Sequence, residues 1–384
     1  MSKEKNLKGF LFQNNMLCIV VGTRPEIIKM APVVRACEKE GVPFFILHSG
    51  QHYSQNMDRA FFEELELPQP KYNLGIGNQP HRKQVGMMVK GMTEIFKKEN
   101  PAAVVLQGDT TTVLAAALAA NKLGIKIAHH EAGIRSNDTR MIEETNRVAT
   151  DHISDFLFTP TKISFNNLIE EGYRAEKINH VGNTIVDAIL EHKAMSDSRS
   201  NILRLLSVDY KKYFLITAHR PENVDDKHKL EELLRVLEML KSKYGDYKLV
   251  FPLHPRTRKM LDAFQMSLPP EIIITEPLSY FDFIKLEANA QLIITDSGGI
   301  QEESCVLRVP CVIIRENTER PEAVELGMNI LSGLNASSVD FAVKQLLTKE
   351  INWENPFGDG KAAERIVQIL KLKLYPNKYE YRFA

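Results

Sequence analysis

Along this chain, short runs of β-branched and other apolar residues alternate with longer stretches whose apolar positions recur at helical spacing. That rhythm predicts βα units and parallel sheets. In the first half the strands fall at 17–21, 44–48, 103–106, 125–129, 156–159 and 178–181, with helices such as 82–99 and 112–123 between them. From Glu191 to Asp209 the strand rhythm is lost and Ser196, Ser198 and Ser200 stand among charges, which places a domain crossing there. It then restarts, with strands at 214–217, 249–253, 272–275, 292–295, 311–314 and 329–331. A closing helix, 361–374, could pack on either domain. The expected fold class is α/β, with one doubly wound parallel-sheet domain over 1–190 and a second over 191–384. In such sheets ligands bind beyond the carboxyl ends of the strands, so two of them in tandem should face each other across a cleft lined by those ends.

Length and composition agree with two cores. A chain of 384 residues exceeds one ordinary domain, and 43% hydrophobic with 26% charged residues is the balance of a globular protein. Lys plus Arg and Asp plus Glu are both 49, so no net field attracts a nucleic acid or an acidic membrane, and any phosphate contact has to be local. The basic tail from Lys371 to Arg382, with Tyr375, Tyr379 and Tyr381, reads as a solvated helix end. Four cysteines in or beside apolar runs, without Cys-x-x-Cys spacing, read as core thiols. No apolar stretch approaches the ~18 residues of a membrane span, and a cytoplasmic location is expected.

The strand ends carry the candidate chemistry. The first strand runs into Gly22-Thr23-Arg24-Pro25-Glu26, where glycine permits a tight turn and a helix start offers N–H groups, with Arg24 and Lys29 adding positive charge. It is either an anion site or an ordinary turn; the dinucleotide fingerprint Gly-x-Gly-x-x-Gly is absent. Asp109 precedes threonines that suit a helix cap. Glu131 directly follows a buried strand, where a carboxylate has little structural motive. Glu143 and Glu144 open a predicted helix, where acids favour the macrodipole. Three carboxylates delivered to one rim suit proton transfer at carbon, which makes Asp109, Glu131 and Glu143 the acid/base candidates. A metal held by these acids with His129 and His130 is the rival reading, and the spacing fits no standard ligand pattern.

In the second half His219 stands at a strand end beside Arg220, placed to bond or protonate a phosphate. Asp296-Ser297-Gly298-Gly299 follows another strand, and its small residues would bring backbone N–H groups against a diphosphate at a helix start. Glu303, one turn on, could accept from ribose hydroxyls, and Arg320 begins another helix on the same side.

Together these segments resemble the UDP-N-acetylglucosamine 2-epimerase family, from Gly22 to Asn355-Pro356-Phe357-Gly358. The resemblance implies two Rossmann-like domains of glycosyltransferase B type. It assigns Asp109, Glu131 and Glu143 to acid/base work and His219 to the departing UDP. It also assigns Arg24, Lys29, Ser297, Gly298, Gly299, Glu303 and Arg320 to the nucleotide, and Phe283 to the uracil; spacing alone would put Phe283 in the core. The implied reaction removes the C2 proton as the C1–O bond to UDP breaks, then returns UDP to a bound 2-acetamidoglucal with the proton on the other face. It needs no metal and no nicotinamide cofactor. A UDP-sugar as substrate and a homodimer are the implied partners. Two positions depart from the family: Ile142 replaces a proline before the glutamates, and Gln51-His52-Tyr53-Ser54 replaces a Gln-His-Arg segment beside which bacterial relatives hold a second substrate molecule. Other readings are a hydrolysing epimerase, an epimerase of another UDP-2-acetamido sugar, a glycosyltransferase of the same fold and a non-catalytic nucleotide-sugar binder.

Overall fold

In the first sheet β1 (Leu17–Val21), β2 (Phe44–His48), β3 (Tyr72–Asn73), β4 (Ala103–Gln107), β5 (Lys126–His130), β6 (Phe156–Thr159) and β7 (Ile178–His180) pair in the order β3-β2-β1-β4-β5-β6-β7, all parallel. The structure is a computed structural model that describes residues 16–51, 55–77, 79–350 and 352–375. His52, Tyr53 and Ser54, and the tail with Tyr379 and Tyr381, lie outside these. The second sheet contains β8 (Tyr213–Thr217), β9 (Lys248–Pro252), β10 (Ile273–Thr275), β11 (Leu292–Thr295), β12 (Cys311–Ile313) and β13 (Asn329–Leu331), in the order β10-β9-β8-β11-β12-β13, again all parallel. Two doubly wound α/β units are what the rhythm predicts. The addition is β3, whose two residues are too few for any periodicity to register.

These strands are apolar on both faces because helices cover both. In the second unit Phe214 and Ile216 pack with Leu233, Val236, Leu237 and Leu240 on one side, while Tyr213 and Leu215 pack with Leu286 and Ile300 on the other. All four cysteines are buried free thiols. Among the described residues, no helix is long and apolar enough to cross a membrane, and no group of three His, Cys, Asp or Glu side chains could hold a metal.

The chain divides into a unit of Met1–Ala188 with Phe357–Ala384 and a unit of Ile189–Pro356. The crossing therefore lies inside the helix Thr184–Arg199, ahead of the serine-rich stretch in which the polar composition placed it. Those serines have structural partners within the second unit: Ser196 donates to the Phe281 carbonyl (2.6 Å) and Ser200 to Asp282. The closing helix Ala362–Leu374 belongs to the first unit. Asp187 accepts from the N–H groups of Ala362 and Ala363 (3.3 and 2.9 Å), and Lys371 pairs with Glu40 (2.7 Å).

Candidate functional site

In each sheet the strand order reverses at one point, between β1 and β4 in the first and between β8 and β11 in the second. Such reversals leave the ends of two adjacent strands open to a ligand, because their connections depart in opposite directions. Gly22 and Asp109 follow β1 and β4; His219 and Ser297 closely follow β8 and β11.

In the first unit, the turn after β1 is organised by Glu26. Its buried carboxyl accepts from the N–H groups of Gly22 (2.6 Å) and Thr23 (2.7 Å), and from the hydroxyls of Thr23 (3.1 Å) and Thr110 (2.6 Å). Burial pushes this carboxyl up to about 7 against the opposing effect of those bonds. Gly22 is required there, since a Cβ would lie 2.1 Å from Thr112 Oγ1. Arg24 is exposed, its guanidinium over the Phe61 ring.

One turn into the helix Arg24–Glu40, Lys29 forms a buried ion pair with Glu131, which also accepts from Asn183 Nδ2 (3.1 Å). Glu131 sits at φ 67°, a left-handed conformation that costs a residue with a side chain ~1 kcal/mol or more. The loop that holds it there is braced from within. His129 donates to the Gly108 carbonyl and contacts Asp151 (both 2.7 Å), and Asp151 accepts from the Gly133 N–H (3.1 Å) and pairs with Arg135 (2.8 Å). His130 points the other way, to the Gly182 carbonyl (3.2 Å), and burial pulls its imidazole down to about 4, so the ring is neutral.

Asp109 pairs with Arg147, which also pairs with Glu144. Glu144 is buried and holds the preceding loop through the N–H groups of Ser136 and Asn137 (both 3.0 Å). Glu143, its neighbour in the first turn of the helix Ile142–Ile153, is exposed, and no hydrogen bond or ion pair involves its side chain among the described residues. The structure thus brings Glu131 to Lys29 and Asp109 to Arg147. Each of these two carboxylates is matched to a cation, and Glu143 stands apart on an open surface.

In the second unit, fully buried Asp296 accepts from the N–H groups of His219 (2.9 Å) and Arg220 (2.9 Å) and from Asn223 Nδ2 (3.2 Å). Its Oδ1 also lies 3.1 Å from His219 Nδ1. Burial raises the Asp296 carboxyl, but the bond and charge of His219 and the backbone N–H groups outweigh it and hold the group below its ordinary value. An ionised Asp296 fixes the proton on Nδ1 and leaves Nε2 of this partly exposed ring for another partner.

Ser297 caps the helix Gly298–Leu307. A Cβ at Gly298 would lie 2.9 Å from Glu319 Oε1, so glycine is needed for the turn to sit this close to the acid. Arg320 pairs with Glu302 and Glu319 (both 2.8 Å), so its guanidinium is already ion-paired with two carboxylates. Burial raises the Glu319 carboxyl, but Arg320, Arg315 and Arg220 bring it down to about 2. Glu303 is partly exposed on the same helix. Phe283 is partly buried against the core.

The family model described as UDP-N-acetylglucosamine 2-epimerase matches residues 35–371. The chain belongs to the UDP-N-acetylglucosamine 2-epimerase family. A UDP-N-acetylglucosamine 2-epimerase of Methanocaldococcus jannaschii is 50% identical over 365 residues, covering 94% of this chain and 100% of the relative. A crystal structure of UDP-GlcNAc 2-epimerase from the same organism, in complex with UDP-GlcNAc and UDP, matches with a TM-score of 0.86 at 50% identity, covering 93% of this chain and 99% of that one. A UDP-2,3-diacetamido-2,3-dideoxy-D-glucuronate 2-epimerase of Pseudomonas aeruginosa is 37% identical over 355 residues, covering 91% and 98%.

For this epimerase-family chain, sequence reasoning passed over Glu26, Glu144, Arg147, Asp151 and Asp296. Glu26 carried a signal, as a carboxylate three residues after Thr23 in a capping box. Asp296 carried one too, as an acid at the end of a buried strand like Glu131.

Proposed function

We propose that this protein interconverts UDP-N-acetylglucosamine and UDP-N-acetylmannosamine by eliminating UDP across C1 and C2 and adding it back to the 2-acetamidoglucal. The observation that carries this reading is the pairing of Glu131, buried and in a strained backbone conformation, with Lys29, one loop from Asp109 at the strand reversal of the first sheet. A carboxylate beside an ammonium can take the proton from C2, and a second acid in exchange with water can deliver one to the opposite face.

In this scheme Glu131, Asp109 and Glu143 are the acid/base groups. Arg24 and Lys29 contribute positive charge. His219, its Nδ1 turned to Asp296, presents Nε2 to the leaving diphosphate, and in its doubly protonated form it donates from Nε2 to neutralise the charge that develops as C1–O breaks. The N–H groups at Ser297, Gly298 and Gly299 cradle the phosphates, Arg320 adds charge, Glu303 accepts from the ribose and Phe283 packs on the uracil. UDP-sugar is the small-molecule partner. A homodimer, a cytoplasmic location and a role in supplying cell-surface polysaccharide precursors complete the reading.

The test is proton NMR in heavy water with a panel of UDP-sugars. Deuterium entering C2 of UDP-N-acetylglucosamine, with a plateau of two UDP-sugars, is the expected result; no label at C2 refutes it. Sustained release of free UDP would mean a hydrolysing enzyme. Label entering only a UDP-2,3-diacetamido uronic acid would favour the second reading, which the Pseudomonas aeruginosa relative motivates.

A further inference from the structure

Two acids meet where the helix that starts at Gly298 packs against the helix Tyr280–Asn289. Glu287, on the helix Tyr280–Asn289, is 0% exposed, while Glu303 is partly exposed. Neither oxygen of Glu287 accepts a hydrogen bond among the described residues, and the Glu303 carboxyl lies within hydrogen-bonding reach of it. Two ionised carboxylates cannot bond each other, and a buried charge without a partner is costly. One proton resolves both problems. It sits on Glu287, the drier group, and is donated to Glu303, which keeps its charge where water still reaches it. The other titratable groups facing Glu287 are Tyr213 on β8 and Cys311 on β12, both neutral and raised by burial.

We propose that Glu287 is a positioning residue for nucleoside recognition: its carboxylic acid donates to Glu303 and fixes that carboxylate as the acceptor of the ribose hydroxyls. This rests on the reading of Glu303 as the ribose contact. The position of Glu303 fits, since its Oε1 lies 3.8 Å from where a Cβ on Gly299 would stand, at the start of the helix. The shared proton also makes ribose recognition depend on pH. Burial, then the charge of Glu303, raise the Glu287 carboxyl well above its ordinary value. At alkaline pH the pair becomes two like charges and Glu303 is turned aside.

The experiment compares the affinities of the full-length protein for UDP and for 2′,3′-dideoxy-UDP by calorimetry, from mildly acidic to alkaline pH. The wild type should prefer UDP at neutral pH and lose that preference as pH rises. Glu287→Gln, whose amide donates at every pH, should keep it throughout. Glu287→Leu donates nothing and should show a preference about tenfold smaller, the worth of one hydrogen bond to a charged group. A Leu variant with undiminished preference, or a Gln variant that titrates like the wild type, overturns the positioning role alone. A wild type indifferent to the ribose hydroxyls overturns the Glu303 assignment and this proposal with it. Thermal melting checks folding, and where the Leu variant does not fold the Gln profile decides.

Discussion

Replacing Glu26 by Gln should change how stability depends on pH, with a sign opposite to that of most carboxylates. In the fold this carboxyl is pushed up to about 7 from an ordinary 4.5, because burial outweighs the bonds from Thr110, Gly22 and Thr23. Between those two values the folded state binds the proton more tightly than the unfolded state, so stability falls as pH rises. At about 1.4 kcal/mol per pH unit, the loss accumulates to about 3 kcal/mol. The wild type alone will not display it. His130 in the same unit is depressed to about 4 from 6.5, and there the unfolded state holds the proton more tightly, so its contribution rises with pH across an overlapping window. The difference between wild type and Glu26→Gln cancels His130 and isolates Glu26. Urea denaturation of both proteins across this range should give a difference that declines by about 3 kcal/mol from pH 4.5 to 7 and is level outside. A difference that stays level throughout would mean Glu26 is ionised at its ordinary value, and would refute the burial argument.

Four further outcomes follow from the geometry. His130→Gln should remove the opposite slope, so that the wild-type advantage grows by about 3 kcal/mol from pH 4 to 6.5 in the same assay. Glu144→Ala, which strips Arg147 and the Ser136–Asn137 loop of their acceptor, should cost ~3 kcal/mol, whereas Glu143→Gln should stay within ~0.5 kcal/mol. Asp109→Asn, Glu131→Gln and Glu143→Gln should each lose most turnover in the NMR assay while keeping UDP affinity by calorimetry, and near-normal turnover in all three would refute the acid/base assignment. Gly133→Ala should be destabilised by ~3 kcal/mol or more in thermal melts, because φ is 79° and the new Cβ would fall 2.1 Å from the Ser164 carbonyl oxygen.

The sheets were legible because their strands are buried on both faces and therefore read as continuous apolar runs, such as Leu17–Val21 and Leu292–Thr295. The site positions were legible because parallel sheets put chemistry at strand ends, where Glu131 and His219 stand. Helical phase was harder to read. Glu143 and Glu144 are adjacent and chemically alike, and only the buried face of their helix, marked by polar Asn146, Arg147 and Asp151, distinguishes them. No apolar stripe announces that face, so a hydrophobicity pattern cannot orient it. Glu287 was hidden for another reason: its meaning comes from Glu303 on the next helix, a contact that exists only once the two helices pack. The crossing at Ala188 was obscured because a helix runs through it without a break.

That division of the chain bears on how the molecule is made. The segment Phe357–Ala384 completes the unit begun by the N-terminal half, with the whole of Ile189–Pro356 inserted between the two contributions. During synthesis the inserted unit leaves the ribosome entire, while the unit begun earlier still lacks the partner of Asp187 and Glu40. A chain cut after Pro356 therefore harms the part encoded first, and a tag fused at the carboxyl terminus is attached to the body that carries Lys29 and Glu131.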